Sequence, residues 1–477
     1  MMETFTEYLV SIDDIIWGLP LMILILAGGA LLTVRLRFMQ VHKLPLALKW
    51  MTKKESGGEG DVSSFAALCT ALSATIGTGN IVGVATAVCT GGPGALFWML
   101  VAAFLGMATK FSEGFLAIKF RETAPDGHKL GGPFYYIEKG LGPKFKWLAK
   151  LFSIFGILAG LLGIGTITQV NGITSALKNF FDPNDAHMVS IGALGDYSIV
   201  IVISSIVIAA CVALVIIGGI KRISQVSQII VPAMAVIYII FCVTLILCNL
   251  SAVPGAVLTV IEAAFNPRAI TGGAVGSVFV CIQKGVARGI FSNEAGLGSA
   301  PIAAAAAQTK DPVRQGLVSM TGTFIDTIVL CTMTGLSIVL TGAWQVEGLE
   351  GVAVTTYAFS KGLPFPSQVS AFILMICLVF FAFTTILGWD YYSERCLEYL
   401  TNGRMRIVKV YRWIYILFVF IGPYMTVSAV WTVADITNGL MAIPNMVSLF
   451  ILSGVIAHQT NSYYREKKHK QADHLAV

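Results

Sequence analysis

The segment from Ser73 to Asn80 reads Ser-Ala-Thr-Ile-Gly-Thr-Gly-Asn and lies in the middle of an apolar stretch of membrane-spanning length. Its two glycines, two threonines and asparagine predict that the helix unwinds near Ile76–Gly79. Backbone groups freed at bilayer depth are tolerated only where protein or a water-filled cavity satisfies them. Interrupted membrane helices of this kind form the binding sites of secondary transporters. The segment therefore predicts a binding site as well as a location.

Such a break presents two electrostatic poles. The preceding half-helix ends in free carbonyl groups around Ser73–Ile76, which suit a cation, and the following half begins with free N–H groups at Gly79–Ile81, which suit a carboxylate. A zwitterionic amino acid beside a sodium ion satisfies both poles. This favours an amino acid and a cation over a sugar or a lipid.

A second group of oxygen ligands occurs in Phe381-Ala-Phe-Thr384-Thr385. The carbonyls of Ser73, Ile76 and Phe381, with the hydroxyls of Thr384 and Thr385, would form an uncharged oxygen cage for sodium. In the alternative interpretation the two threonines only bond back to carbonyls of their own helix.

Three further side chains are candidates for the substrate site. Gln169 is a polar residue inside a long apolar segment and reaches either the substrate or a neighbouring helix. Phe291 and Trp389 flank the proposed site and form either its walls or ordinary packing contacts. Helix packing is the preferred explanation for four other glycines, namely Gly83, Gly106, Gly160 and Gly163.

Charged residues at membrane depth need a partner or a role. Lys110 and Glu113 stand three residues apart and are predicted to pair. Lys284, Arg288 and Glu294 are predicted to form a structural clamp, and a proton relay through Glu294 is the alternative. The roles of Asp326 and Asp390 stay open, and Asp390 is also compatible with a position at the membrane boundary.

The composition requires that a membrane positions these residues. Of the 477 residues, 56% are hydrophobic and 12% are charged, against about 25% charged in soluble proteins. We predict an all-α polytopic membrane protein with about eleven transmembrane helices, near 15–36, 64–90, 94–119, 147–178, 198–219, 226–249, 274–307, 315–341, 369–390, 408–430 and 439–458.

The distribution of basic residues orients these spans. Alternate loops and the tail, counted with their flanking span ends, hold 26 of the 32 Lys and Arg residues, whereas the opposite loops hold only Arg268 and Lys361. The positive-inside rule then places the N-terminus outside and the C-terminus in the cytoplasm of a plasma (inner) membrane protein. The nine cysteines avoid the external loops, so no structural disulfide is expected.

A second interruption, at residues 287–301, occupies the matching position in the second half of the chain. With the first span set aside, two sets of five spans remain, and each begins with its broken helix. This predicts a 5+5 inverted repeat. The predicted regions are an extra helix and basic loop (1–61), a first repeat (62–250), a second repeat (251–460) and a cytoplasmic tail (461–477).

Four blocks of sequence resemble the alanine/glycine:cation symporter family. They are residues 71–85, 91–98 (Gly-Gly-Pro-Gly-Ala-Leu-Phe-Trp), 131–136 (Gly-Gly-Pro-Phe-Tyr-Tyr) and 289–301. The resemblance implies the leucine-transporter (APC-type) fold with one extra N-terminal helix. It also implies a sodium site at Ser73, Ile76, Phe381, Thr384 and Thr385, and substrate contacts at Thr78, Gly79, Asn80, Gln169, Phe291, Thr385 and Trp389.

The predicted function is therefore sodium-coupled import of alanine, glycine or both by alternating access, with proton-coupled symport of the same substrates as the alternative. The partners are the amino acid, Na⁺ as coupling ion and the lipid bilayer, without a cofactor or nucleic acid, and the oligomeric state stays open. Too few polar residues are present for a channel. An enzyme is not expected, because the spans lack His-Glu-x-x-His or a Ser/His pair.

Overall fold

The computed structural model describes residues 2–53, 55, 57–190, 195–266, 278–425 and 427–475. Four parts of the sequence-based predictions lie outside these residues: Lys54, Arg268, the start of the seventh span (274–277) and the last two residues of the tail (476–477).

The described residues are overwhelmingly helical. The α-helices are α1 (Met2–Ile16), α2 (Leu19–Arg35), α3 (Met39–His42), α4 (Leu44–Thr52), α5 (Ser64–Thr75), α6 (Val84–Gly91), α7 (Ala95–Lys119), α8 (Pro133–Gly140), α9 (Lys146–Leu162), α10 (Ile167–Phe181), α11 (Ile199–Ile216), α12 (Gly219–Cys248), α13 (Val253–Phe265), α14 (Val278–Asn293), α15 (Ala300–Ala304), α16 (Pro312–Thr323), α17 (Thr332–Thr341), α18 (Val352–Gly362), α19 (Ser367–Leu400), α20 (Met405–Ile421) and α21 (Val427–Leu475).

Short elements connect or continue these helices. Two π-helical turns, Gly79–Gly83 and Phe324–Cys331, lead into α6 and α17. Four strands form two antiparallel hairpins, β1 (Glu122–Thr123) with β2 (Lys129–Leu130) and β3 (Met188–Ser190) with β4 (Asp196–Ser198).

Helix length and hydropathy support a multi-pass membrane protein. Within the described ranges, eight helical segments are long and apolar enough to cross a membrane, and the bent pair α5 and α6 makes a ninth. The two other predicted spans correspond to shorter helices: residues 274–307 contain α14 and α15, and residues 408–430 overlap most of α20. The count of eleven spans and the 5+5 repeat therefore stay predictions.

The first predicted break is present. Helix α5 ends at Thr75, Ile76 has an extended backbone, and the chain resumes its helix at Gly79 with a bend of 51°. We call α5, the π-turn and α6 the first broken helix. Ser63 caps its start, because its side chain accepts a hydrogen bond from the Ala66 N–H at 3.1 Å.

The second broken helix consists of α14 and α15, separated by residues 294–299. Glu294, Gly296 and Gly298 all have positive φ angles in this break (56°, 93° and 80°). Glycine adopts such angles without steric cost, whereas a glutamate there is uncommon. The surrounding contacts must therefore hold Glu294 in place.

Close helix contacts explain most of the glycines assigned to packing. A Cβ atom on Gly106 would lie 2.8 Å from the Cβ of Ala295, one on Gly160 2.8 Å from Ser393, and one on Gly163 2.6 Å from the Thr437 hydroxyl. The expectation for Gly83 was wrong, because a Cβ atom there would have no neighbour within 4 Å among the described residues.

The two broken helices are also joined by a short parallel β-bridge between residues 58–62 and 305–309, which we call the inter-half bridge. The N–H of Val62 donates to the Ala306 carbonyl at 3.1 Å, and the N–H of Gln308 donates to the Val62 carbonyl at 2.8 Å. The Arg121 guanidinium adds hydrogen bonds to the carbonyls of Ala307 and Thr309, both at 2.8 Å. The bridge thus fixes the start of one broken helix against the end of the other.

Candidate binding site at the two helix breaks

The two breaks meet around the buried carboxylate of Asp326, in the π-helical turn before α17. Asn80, just after the first break, donates to Asp326 Oδ1 at 2.8 Å. Ser292, just before the second break, donates to Oδ2 at 2.8 Å, and Thr327 donates to the same oxygen at 2.7 Å. One carboxylate therefore links both broken helices. The sequence left its role open, because an acid in an apolar span does not reveal its neighbours.

Side-chain amides hold the N–H groups of the first break. Gln169 Oε1 accepts from the Thr78 N–H at 3.1 Å, and Asn80 Oδ1 accepts from the Gly77 N–H at 2.9 Å. These two N–H groups, of Gly77 and Thr78, lie just before the predicted positive pole at Gly79–Ile81, where the helix resumes as a π-helical turn. A carboxylate replacing the Gln169 amide oxygen would receive the same N–H group.

Neighbouring segments approach the backbone of this break so closely that two of its positions require glycine. A Cβ atom on Gly77 would lie 2.5 Å from the Thr385 hydroxyl and 2.9 Å from Gln169 Oε1. A Cβ atom on Gly79 would lie 3.1 Å from the Ser292 Cα. The two breaks and helix α19 therefore approach one another at backbone distance.

The five predicted sodium ligands are all buried and lie at the junction of α19 with the first break. The Thr385 hydroxyl donates to the carbonyls of Ile76 (3.2 Å) and Phe381 (3.0 Å), and the Thr384 hydroxyl bonds to the Phe381 carbonyl at 3.0 Å. Both threonines thus bond back to their own helix, as the alternative interpretation expected. Thr385 also reaches across to the first break, which back-bonding alone does not explain.

An aromatic layer contains Phe291 and Trp431, whose ring centroids are 5.1 Å apart. The Arg288 guanidinium lies 5.6 Å and 5.2 Å from these two rings and pairs with both oxygens of Asp435, at 3.0 Å and 2.5 Å. The predicted clamp of Lys284, Arg288 and Glu294 is therefore wrong. Arg288 pairs with Asp435 on α21 instead of with Glu294.

Two carboxylates hold the second break from either side. Glu294 Oε1 accepts from the Trp389 indole N–H at 2.7 Å, and its Oε2 accepts from the Ser299 hydroxyl. Glu113 Oε1 accepts from the N–H groups of Gly296 and Gly298, both at 3.1 Å.

The expected ion pair between Lys110 and Glu113 is absent from the described residues. Glu113 Oε1 also accepts from Asn445 Nδ2 at 2.7 Å, so backbone and amide donors take the place of the lysine. Lys110 is buried, and its amino group has no hydrogen-bond partner in the part of the chain that the structure describes. Asp390 is buried within the protein, and neither of its oxygens has a hydrogen-bond partner in the same described part; its position relative to the membrane boundary stays a prediction.

Comparison with known proteins identifies the family to which this chain belongs. Residues 2–476 match the family model described as the sodium:alanine symporter family. The chain belongs to this family. The symporter is 44% identical to the sodium/alanine symporter AgcS of Methanococcus maripaludis, over 98% of this chain and 99% of that protein. It is 53% identical to an uncharacterized transporter of Haemophilus influenzae, over 98% and 97% of the two chains.

The fold of the symporter also has a solved counterpart. The crystal structure of MhsT in complex with L-phenylalanine matches with a TM-score of 0.57 at 13% identity, covering 85% of this chain and 99% of MhsT. This likeness supports the predicted leucine-transporter type of fold and nothing further. Family membership itself confirms the resemblance inferred from the four sequence blocks and makes the chain a transporter rather than an enzyme.

The symporter brings its predicted site residues together in two places. Thr78, Gly79, Asn80 and Gln169 gather at the first break, with Thr385 reaching the break from α19. Trp389 contacts the second break, and Phe291 lies in the aromatic layer. Sequence reasoning assigned Glu113 to Lys110 instead of to the second break, and it missed the following participants: Ser292, Trp431, Asp435 and Asn445. Only contacts between distant segments reveal them.

Oxygen atoms predominate around the first break of the symporter, although the Cys331 thiol also lies 3.4 Å from Asn80 Nδ2. Hydroxyl and carbonyl oxygens surround Thr385, and hard monovalent and divalent cations prefer oxygen ligands. No cluster of three or more His, Cys, Asp or Glu side chains suited to a metal ion occurs in the described ranges.

Proposed function

We propose that the chain imports alanine, glycine or both together with Na⁺ by alternating access. The observation that carries the proposal is the hydroxyl of Thr385, which joins Phe381 on α19 to the carbonyl of Ile76 at the first break. A sodium ion bound there would take these oxygens, together with Ser73 and Thr384, and so depend on both elements being in contact. Ion binding and the position of the first broken helix are thereby coupled.

The amino acid would lie beside this ion, between the breaks. Its carboxylate would replace the Gln169 amide oxygen as the acceptor of the Thr78 N–H. Its ammonium group would face the Asp326 carboxylate, whose negative charge would attract it. Glycine contacts at Gly77 and Gly79 leave little space, which favours a small substrate. The name of the AgcS relative supports alanine as a substrate.

Alternating access requires one closure on each side of the site. With the N-terminus outside, the Arg288–Asp435 pair and the Phe291–Trp431 layer close the outer side, and the inter-half bridge closes the cytoplasmic side. Each closure joins elements from different parts of the chain, so each can open while the other stays formed. The 5+5 inverted repeat would supply the symmetry of this exchange.

The driving force suffices for concentrative uptake. One Na⁺ moving through 100 mV provides about 2.3 kcal/mol, and a tenfold Na⁺ gradient adds about 1.4 kcal/mol. One ion per substrate would therefore sustain a gradient of several-hundred-fold.

Uptake of labelled alanine into proteoliposomes tests the proposal. We expect uptake with an inward Na⁺ gradient and little without it. Replacing Thr385 with valine removes the bridging hydroxyl at nearly constant volume, and we expect the Na⁺ concentration for half-maximal uptake to rise at least tenfold. Thr332→Val, at the start of α17, is the matched control. Equal uptake with and without Na⁺ would exclude sodium coupling.

Proton-coupled symport of the same substrates is the alternative. A pH gradient imposed in Na⁺-free liposomes distinguishes the two. Uptake driven by the pH gradient alone would favour the alternative, and uptake that needs Na⁺ at every pH favours the sodium mechanism.

A further inference from the structure

The Glu294 carboxyl group makes one hydrogen bond within the second break and another to a different helix. Its bond to Ser299 spans the second break and stays within it, whereas its bond to the Trp389 indole at 2.7 Å crosses to α19. Glu294 is fully buried, and no ion pair involves it among the described residues. Both hydrogen bonds come from uncharged donors, one to each oxygen of the carboxyl group, and together they fix its orientation.

Trp389 is placed so that this bond controls its ring. It follows Thr385 by four residues and so lies on the same face of α19, one turn away. The Cβ of Trp389 packs so closely against Gly165 that a Cβ atom added there would lie only 2.7 Å from it. The Trp389 and Tyr392 rings meet edge-on, with their centroids 5.5 Å apart. Packing fixes the base of the side chain, and the hydrogen bond from the indole N–H fixes the rotation of the ring.

We infer that Glu294 is a positioning residue that holds the Trp389 ring as a rigid wall of the substrate pocket and thereby limits the size of the transported side chain. The inference rests on the proposed amino acid site between the breaks. It assigns Glu294 a role in selectivity in place of the clamp or the proton relay. From its positive-φ backbone conformation, the Glu294 side chain reaches both Ser299 and Trp389.

Three substitutions separate this role from a general structural one. Trp389→Phe keeps an aromatic ring and removes the N–H donor. Glu294→Leu keeps the volume and removes the acceptor. Glu294→Gln keeps an amide oxygen for the indole N–H and an NH₂ group for the Ser299 hydroxyl, so it is the conservative variant.

The readout is the ratio of kcat/KM for alanine to kcat/KM for 2-aminobutyrate, which has one more methylene. A rigid pocket discriminates a single methylene by about 10–200-fold. We expect Trp389→Phe and Glu294→Leu each to lower the ratio about tenfold, and the double variant to be no lower than either single one, because both remove the same bond. Glu294→Gln should retain a ratio within about threefold of the wild type.

Ser299→Ala is the matched control, since it removes the other bond of Glu294 and leaves the indole bond. It should keep the wild-type ratio. A ratio, unlike an uptake rate, does not change with the amount of folded transporter, and Trp389→Phe supplies the test if Glu294→Leu is not recovered from membranes. A wild-type ratio in Trp389→Phe, or equal losses in Glu294→Gln and Glu294→Leu, would overturn the inference.

The proposed function is judged separately. Its failure would appear in the wild-type transporter as alanine uptake that is independent of Na⁺, before any variant is compared. The selectivity ratio of the variants is measured at saturating Na⁺ and is unaffected by which ion drives uptake.

Discussion

At the scale of single residues, Asp326 carries the most information about the site. A buried carboxylate is costly unless hydrogen bonds or a cation compensate it. Here Asn80, Ser292 and Thr327 supply three donors, but none of them supplies a positive charge. The buried Lys110 acts on Asp326 through its charge without a hydrogen bond, and a substrate ammonium group or a coupling cation would add to the compensation.

Replacing Asp326 with asparagine should therefore impair transport more than folding. The amide keeps an acceptor for Asn80 and loses the charge, so we expect kcat/KM for alanine to fall at least tenfold, about 1.4 kcal/mol of transition-state stabilisation. Thr327→Val is the control, because it removes one donor and leaves the charge. Uptake in proteoliposomes, with the unfolding temperature in detergent, separates the two effects, and wild-type uptake by Asp326→Asn would contradict the role.

The sequence identified the oxygen-rich residues of the site but not their partners. The residue types of Gly77, Gly79 and Asn80 are sufficient to predict a helix break, because such residues are unfavourable in a continuous apolar helix. The bond from Trp389 to Glu294 joins residues 95 positions apart, and no local pattern encodes it. The same limit explains why the sequence predicted a pair between Lys110 and its helical neighbour Glu113. In the folded chain, Glu113 instead accepts hydrogen bonds from Gly296 and Gly298 in the second break.

At the scale of elements, the inter-half bridge depends on two glycines. A Cβ atom on Gly58 would overlap the Gln308 carbonyl, and one on Gly60 would overlap the Ala307 carbonyl. Backbone atoms cannot move aside as a side chain does, so these positions admit no larger residue without separating the strands.

Gly60→Ala should therefore weaken the bridge. Overpacking of this kind costs about 1–3 kcal/mol, and we expect a lower unfolding temperature in detergent. Gly255→Ala in α13 is the matched control, since a Cβ atom there has no neighbour within 4 Å in the described structure and a helical alanine is favourable. An unfolding temperature for Gly60→Ala equal to that of the control would contradict the structural role of the bridge.

The β1–β2 hairpin is attached to the end of α19 by a histidine. His128 Nε2 lies 3.0 Å from Glu398 Oε1, and its Nδ1 contacts Asp126. The hydrogen bond to Glu398 raises the pKa of His128 above its ordinary value of 6.5, although partial burial and Arg395 oppose this. The protonated ring therefore stabilises the contact, because both ring nitrogens then donate to carboxylates.

This contact should respond to pH in a defined direction. A raised pKa in the folded state means that the stabilisation is fully present below pH 6.5 and is lost as the pH rises through the folded-state pKa. We expect the unfolding temperature of the wild type to exceed that of His128→Gln at about pH 6 and to approach it at about pH 8.5. A difference that stays constant over this range would contradict the prediction.

At the scale of the whole molecule, composition and the lengths of the apolar segments predicted a polytopic helical membrane protein, and the family match confirms the transporter class. One span end was less accurate, because the last helix continues to Leu475 beyond the predicted span. The predicted span 147–178 matches the candidate span Pro143–Phe181, but it contains a break between α9 and α10 that was not predicted. A hydropathy pattern records how long an apolar stretch is, whereas breaks and extensions depend on tertiary contacts.

The orientation of the chain is testable by cysteine labelling. Gln368 is the second residue of α19, on the predicted outer side, and Arg404 precedes α20 on the predicted cytoplasmic side, and both side chains are exposed. We expect a membrane-impermeant maleimide to label Gln368→Cys in intact cells and Arg404→Cys only after lysis, above the background of the nine native cysteines. The opposite pattern would reverse the predicted topology.

The long sequence separation between the partners of the first break has a consequence for biosynthesis. Asn80 and Asp326 are 246 positions apart, and Ile76 and Thr385 are 309 apart. At a translation rate of about 5–20 residues per second, the ribosome needs roughly 15–60 s to add the last of these partners. During that interval the polar groups of the first break enter the bilayer without them. The proposed site is therefore completed only after Thr385 has been added, late in synthesis, and a nascent chain arrested before that residue would expose an unfinished break to the membrane quality-control machinery.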